Sequence, residues 1–325
     1  MITRRLLAAS ALALPSLARA QLAQAQTARP LALVVPYAAG GGTDIAAREF
    51  AQLFSQELGG QTVLVENRAG GAGHVGSLAV SRARPDGLTL LFAVNSNIVV
   101  NPHLQRGDRV DLANVLVPVM QTSVYQYVLV VHPDLPVRNL AEYIAYVKAQ
   151  PAGRVTFSSS GVGGNNHMAG VLFAEAAGIS MEHVPYRGTA PALMDVVARN
   201  ITLNVSSPPP AIQLVREGRL RALAVTGPTR MAALPDVPAL AEVLAGLVIQ
   251  GWHGLFAPAG TPDAALDRLE QAAKRAAATP RFAERLAHDG LEPAPDRPRA
   301  AFAALVREES AYWARKLPQL NISLD

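Results

Sequence analysis

The stretch Pro36-Tyr37-Ala38-Ala39-Gly40-Gly41-Gly42-Thr43-Asp44 lies between an apolar, β-branched run over residues 31–36 and an amphipathic stretch over 44–58. Strand, glycine turn and helix in that order open a parallel α/β unit. Successive glycines let the backbone take positive φ and bring free N–H groups close to a ligand, while Thr43 or Asp44 is placed to cap the helix. Exposed N–H groups at the positive end of a helix favour a carboxylate or phosphate without any Lys or Arg. A lone glycine triplet reads as an ordinary flexible joint. At the first βα turn, facing an expected cleft, Tyr37, Ala38, Gly41, Gly42, Thr43 and Asp44 read as an anion site.

Outward from this unit, residues 61–66 and 88–94 read as strands and 76–83 as a helix. A second set follows, with strands over 127–131, 155–158, 182–185, 201–205 and 220–226 and helices over 140–149, 166–177 and 190–198. A return segment over 251–258 precedes helices near 264–278, 280–289 and 300–317. The chain thus leaves the first lobe near 120–126 and comes back near 249–252. Two crossings make a hinge, with a ligand cleft beside it. The expected fold class is α/β and two-lobed, with residues 27–122 plus 248–325 as lobe 1 and 123–247 as lobe 2. Each lobe is expected to be a mainly parallel sheet flanked by helices. The three prolines at 208–210 read as a strand end.

Half of the 325 residues are hydrophobic and 17% are charged, a packed globular composition. Arg4 and Arg5 precede an apolar run over 6–17 that is too short to span a bilayer, so residues 1–20 read as a signal peptide, with a second cleavage site near residue 25. The ordinary secretory route is expected, with the twin-arginine route as the alternative. Removing residues 1–20 takes away Arg4, Arg5 and Arg19 and no acid, which lowers the formal charge from +4 to +1. A nearly neutral surface leaves no electrostatic footprint for nucleic acid. The chain has no Cys, so it has no disulfides and no thiolate chemistry. Its seven His show no metal-ligand spacing, and neither a metal nor another cofactor is expected.

A second glycine-rich stretch, Ser158-Ser159-Ser160-Gly161-Val162-Gly163-Gly164-Asn165-Asn166-His167, mirrors the first in the other lobe. Ser159, Gly161, Gly163 and Asn166 would grip one end of a ligand whose other end meets the first loop, which suits a dicarboxylate. His167 reads first as a hydrogen-bonded helix residue and second as a ligand contact. In Val184-Pro185-Tyr186-Arg187-Gly188-Thr189 a strand ends in an aromatic, a cation and a glycine. Arg187 reads equally as a bidentate carboxylate partner or as a surface ion pair. Asn95, at the end of a strand, and Asn204 complete the candidate set, which contains no catalytic residue. Gly71-Ala72-Gly73-His74-Val75-Gly76 satisfies G-x-G-x-x-G, but Asn95, Ser96 and Asn97 stand where a ribose-binding acid would be needed, so it reads as a tight turn. There is no G-x-S-x-G elbow to support a hydrolase.

With these segments in view, the sequence resembles the Bug-type substrate-binding proteins of tripartite tricarboxylate transporters. The resemblance rests on the first glycine stretch, on Val65-Glu66-Asn67-Arg68-Ala69-Gly70-Gly71-Ala72-Gly73-His74-Val75-Gly76 and on Pro85-Asp86-Gly87-Leu88-Thr89-Leu90. It continues through His183 to Gly188, Gly218 to Thr226 and Gly251 to Pro262. It implies a type II periplasmic binding fold. It also implies a small carboxylate ligand, such as a dicarboxylic acid, an amino acid or an aromatic acid, held by backbone amides and ordered waters. Tyr37 through Asp44, Ser159 through His167 and Tyr186 through Gly188 are the positions it carries over. The implied protein is a periplasmic, non-catalytic monomer that serves a large and a small membrane subunit. A ligand sensor is the alternative, and an exported α/β hydrolase a more distant one. The sequence departs from the family at Ala69, at His74 and at Asn200, where a Gly often stands before the next strand.

Overall fold

The computed structural model describes residues 29–104 and 110–320. The expected signal segment therefore lies outside the described residues. The apolar run at the start forms β1 (Leu31–Val35), which pairs in parallel with β2 (Val63–Asn67) and β3 (Thr89–Val94). On it lies helix α1 (Gly42–Glu57), whose Ala46, Ala47, Phe50, Leu53 and Phe54 are buried. Phe50 stacks on Phe54 at 5.2 Å and meets Phe92 and Phe282 at 6.0 and 5.8 Å. Full burial of each such ring contributes roughly 1.5–3 kcal/mol.

The remaining strands are β4 (Leu116–Gln126), β5 (Val128–Val131), β6 (Thr156–Ser159), β7 (Glu182–Pro185), β8 (Leu203–Ser206), β9 (Arg221–Val225), β10 (Gln250–Pro258) and β11 (Leu291–Pro293). They form two sheets, of order β11-β4-β10-β3-β1-β2 and β7-β6-β8-β5-β9. Four of six strands in the first and four of five in the second share a direction. Two of the three opposed strands are the ones the crossings impose, and the third is the edge strand β11, antiparallel to β4. β10, on its return, pairs antiparallel with β3 and β4, and β5, on arrival, pairs antiparallel with β8 and β9. The sheets are thus mixed α/β sheets, parallel only away from the hinge. Among the described residues, no helix is long and apolar enough to cross a membrane.

Helices α2 (Asn165–Ala177), α3 (Thr189–Val197) and α4 (Pro208–Arg216) cover the second sheet. The last corrects the sequence reading of residues 208–210. The prolines do not merely end a strand; they begin a helix, where a fixed φ helps and a missing N–H costs nothing. In the turn after α3, just before Asn200, the left-handed position is Arg199, with φ of 66°.

Candidate functional site

Three helices direct their first turns into one cavity between the sheets. The N-cap residues of α1, α2 and α3 are Gly41, Gly164 and Gly188, and no side chain caps any of the three. A glycine has no side chain to accept from first-turn N–H groups, which are left for another acceptor. This replaces the expectation that Thr43 or Asp44 caps α1, because the helix begins before them. A fourth helix, α4, starts beside the cavity at N-cap Ser207. Its first three residues are prolines, so it adds a hydroxyl and a dipole but no first-turn N–H.

The cavity is narrow and opens to solvent on one side. Tyr37, Gly41, Gly42, Thr43 and Val94 line it from one sheet's loops, and Ser160, Asn165, Asn166, Thr189 and Ser207 from the other's. Tyr125 and Tyr127, from the crossing between β4 and β5, complete the lining. No Asp, Glu, Lys, Arg or His is among these residues. The local field is therefore set by peptide dipoles and neutral donors. Burial pushes the Tyr125 phenol up to about 12 and raises that of Tyr127 as well, so both remain O–H donors.

Asp44 does not line the cavity; it builds the loop that does. Its carboxylate accepts from the Gly40 N–H at 2.9 Å, from Arg48 Nε at 3.0 Å and from Asn67 Nδ2 at 2.9 Å. Burial works against ionisation here, but the hydrogen bonds from Arg48, Gly40 and Asn67 prevail and hold the carboxyl below its ordinary value. Gly42 is required by the other lobe, because a Cβ on it would lie 2.4 Å from Ser207 Oγ. The Tyr37 ring faces the cavity, while its hydroxyl donates to the Ala72 carbonyl at 3.1 Å and accepts from Asn97 Nδ2 at 2.7 Å.

In the second loop Ser160 Oγ donates to Asn166 Oδ1 at 2.8 Å, which fixes that amide at the cavity wall. Ser159 lies behind the wall, where its hydroxyl accepts from the Gly161 N–H at 3.1 Å and pairs with His183 Nε2 at 2.7 Å. His167 accepts from the Gly163 N–H through Nδ1 at 3.1 Å and stacks on His183 with ring centres 3.8 Å apart. Burial, followed by the neighbouring His183, pulls His167 down to about 3. It is a structural residue of the loop.

The remaining candidates hold the lobes together or stand outside the cavity. Ala38 donates its N–H to the Arg187 carbonyl at 3.4 Å, and Gly188 packs on Ala38. Asn95 accepts from Asn165 Nδ2, and the Asn165 N–H donates to Ser96 Oγ at 3.2 Å. Tyr186 donates to Asp195, and Arg187 is exposed. Asn204 is buried, with its Nδ2 on Ser158 Oγ at 2.8 Å. Of the sequence candidates, the cavity thus gathers Tyr37, Gly41, Gly42, Thr43 and Asn166, with Ser160 and Asn165 from the stretch Ser159 through His167. Sequence reasoning missed Val94, Tyr125, Tyr127 and Thr189. The available signal for the two tyrosines was their spacing of two at the crossing, which puts both rings on one face of an extended chain.

Two hinged α/β sheets whose strand-end loops enclose one cavity define a two-lobed solute-binding protein of the periplasmic type. Residues 46–322 match TctC, the tripartite tricarboxylate transporter family receptor. The chain is 35% identical over 323 residues to a UPF0065 protein from the tcbD-tcbE intergenic region of Pseudomonas sp., covering 98% of this chain and 95% of that one. It is 32% identical over 292 residues to Protein BugT of Bordetella pertussis, covering 88% of each. The solved periplasmic binding protein BugD matches with a TM-score of 0.86 at 31% identity, covering 91% of this chain and 98% of that one. MatC from Rhodopseudomonas palustris, solved with bound malate, matches with a TM-score of 0.83 at 28% identity, covering 88% and 98%. A second R. palustris protein, solved with adipate, matches with a TM-score of 0.84 at 28% identity, covering 91% and 98%. The chain belongs to the TctC family, and the Bug-type resemblance read from its motifs is borne out.

Proposed function

We propose that this protein captures a small carboxylate in the cavity between its lobes and delivers it, in the periplasm, to the membrane subunits of a tripartite tricarboxylate transporter, without chemical turnover. One observation carries the reading: three helices with glycine N-caps open into a cavity that has no charged side chain. Apart from that of Asn165, which goes to Ser96 Oγ, the first-turn N–H groups are left without a cap, and such groups favour negative oxygen atoms. The amides of Gly41, Gly42 and Thr43 take one carboxylate, and the Asn166 amide, the Thr189 and Ser207 hydroxyls and the tyrosine phenols set its surroundings. Malate in MatC and adipate in its R. palustris relative support a dicarboxylate. In this reading lobe 1 is residues 27–122 with 248–325, lobe 2 is 123–247, and a monomer holds one ligand.

The test is a thermal-shift series on the protein lacking residues 1–20, with malate, adipate, glutamate and benzoate set against neutral sugars. A ligand that binds only the native state at one hundred times its Kd adds about 2.7 kcal/mol of stability. The reading requires carboxylates to raise Tm and sugars to leave it unchanged. The reverse pattern overturns it.

A further inference from the structure

The outer side of the cavity is closed by contacts between the lobes. Besides the pairing of Ala38 with Arg187 and Gly188, Ala72 lies against Gly161, where a Cβ built on the glycine would stand 3.1 Å from the Ala72 Cβ. Tyr37, bonded to the Ala72 carbonyl, and Ser160, next to Gly161, face the inner cavity. Ala72 and Gly161 themselves line a second, roomier and more open space outside the inner cavity. The pair is a partition between two spaces.

Ala72 is held in that partition against its backbone preference. Its φ of 49° and ψ of 37° are left-handed, where a Cβ crowds the following carbonyl oxygen. The surroundings offset this crowding. The Ala72 carbonyl accepts from Tyr37 Oη at 3.1 Å, Asn97 Nδ2 at 2.8 Å and Asn101 Nδ2 at 2.9 Å. Three donors on one carbonyl fix its direction, and the buried methyl is thereby fixed too.

We propose that Ala72 is a specificity-determining residue for ligand length. Its braced methyl, closed on Gly161, admits anions that fit wholly in the inner cavity and rejects those whose chain must pass into the outer one. The inference rests on the anion-cavity reading above. The outer cavity has what the far end of a longer diacid needs. Val162, Pro185 and Pro191 give it apolar walls, and the exposed Arg187 forms no ion pair among the described residues. Removing the methyl joins the two spaces and lets a longer diacid reach that guanidinium.

The experiment is titration calorimetry with malonate, succinate, glutarate and adipate on the protein lacking residues 1–20 and on its Ala72→Gly variant. A glycine accepts the left-handed backbone without strain, so the variant folds with an unchanged or raised Tm. The wild type is expected to bind adipate at least tenfold more weakly than succinate, and Ala72→Gly to narrow that ratio about tenfold, the scale on which a pocket discriminates methylenes. A second variant, Gly161→Ala, puts a methyl on the other side of the partition, at a φ of 132° that also strains the loop, and is expected to weaken all four diacids. The same length ranking in wild type and Ala72→Gly, or wild-type affinities equal for adipate and succinate, overturns the proposal. A Gly161→Ala protein that binds like wild type also overturns it. If no diacid binds either the wild type or Ala72→Gly, the anion-cavity reading itself fails.

Discussion

The Thr226 hydroxyl donates to the Ile249 carbonyl at 2.6 Å, where the chain returns to the first sheet. The same oxygen accepts the Tyr127 N–H at 2.8 Å, where the chain had left it. One buried side chain therefore ties the outgoing crossing to the incoming one. The backbone adds Ile249 N–H to Thr226 O at 2.7 Å and Thr226 N–H to Tyr127 O at 3.0 Å. Thr226→Val keeps the shape but strands a donor and an acceptor, so stability should fall by about 1–3 kcal/mol. The midpoint of urea unfolding measures it.

Gly42 separates folding from closure. It has no left-handed φ, so alanine suits its place at the start of α1. An added Cβ would meet Ser207 Oγ and Cβ at 2.4 and 2.6 Å, across the contact between the two sheets' loops. Gly42→Ala should leave the unliganded Tm within a degree or two and cut carboxylate affinity tenfold or more. Adding Ser207→Gly should restore part of that loss. Calorimetry on the single and double variants decides it.

Asp44→Ala removes the acceptor that Gly40, Arg48 and Asn67 share. The glycine loop loses its anchor, and a loss of about 1–3 kcal/mol in stability is expected, with weaker carboxylate binding beside it. Asp44→Asn, which keeps an acceptor oxygen, should lose less on both measures. Equal losses for the two variants would show that loop anchoring is not what Asp44 supplies.

Acid should destabilise the protein before its carboxylates titrate. Burial holds His253 down to about 3; His167, buried beside His183, lies near 3, and His183 near 4. The native state keeps these rings neutral, whereas the unfolded chain protonates them below about 6.5. Their contribution is thus complete above pH 6.5 and is lost as pH falls toward 4 and 3. The slope for a well-buried ring such as His253 or His167 is about 1.4 kcal/mol per pH unit. Urea midpoints at pH 7, 6 and 5 should fall in sequence, and His253→Phe should flatten part of the decline. His253 stacks on Tyr125 with ring centres 4.6 Å apart, so an apolar ring keeps the packing.

Most of the strands and helices were legible because each signal was local. The run at β1 and the apolar face of α1 are periodic patterns that need no tertiary knowledge. The three-proline start of α4 was not legible as a helix, because proline signals a stop as readily as a start. In the site, the glycine loop was found from its φ requirement. The spacing of Tyr125 and Tyr127 puts them on one face, but that this face lines a cavity depends on how two sheets meet, which no local pattern records. Asp44, Ser159 and His167 were recognised as important positions, yet each acts behind the wall, bonding the loop instead of facing the cavity. Residue type in a loop reveals hydrogen-bonding capacity, but not its direction.

The glycine N-caps also bear on how this receptor can diverge. Main-chain amides do not titrate, and only a change to proline removes one, so on the proposed reading the preference for negative oxygen rests on a part of the molecule that few substitutions reach. What point changes can alter is the room around that oxygen, through positions such as Thr189, Ser207 and Tyr127. On that reading, a lineage built on this plan can exchange one acid for another in small steps while keeping its grip on acids as a class.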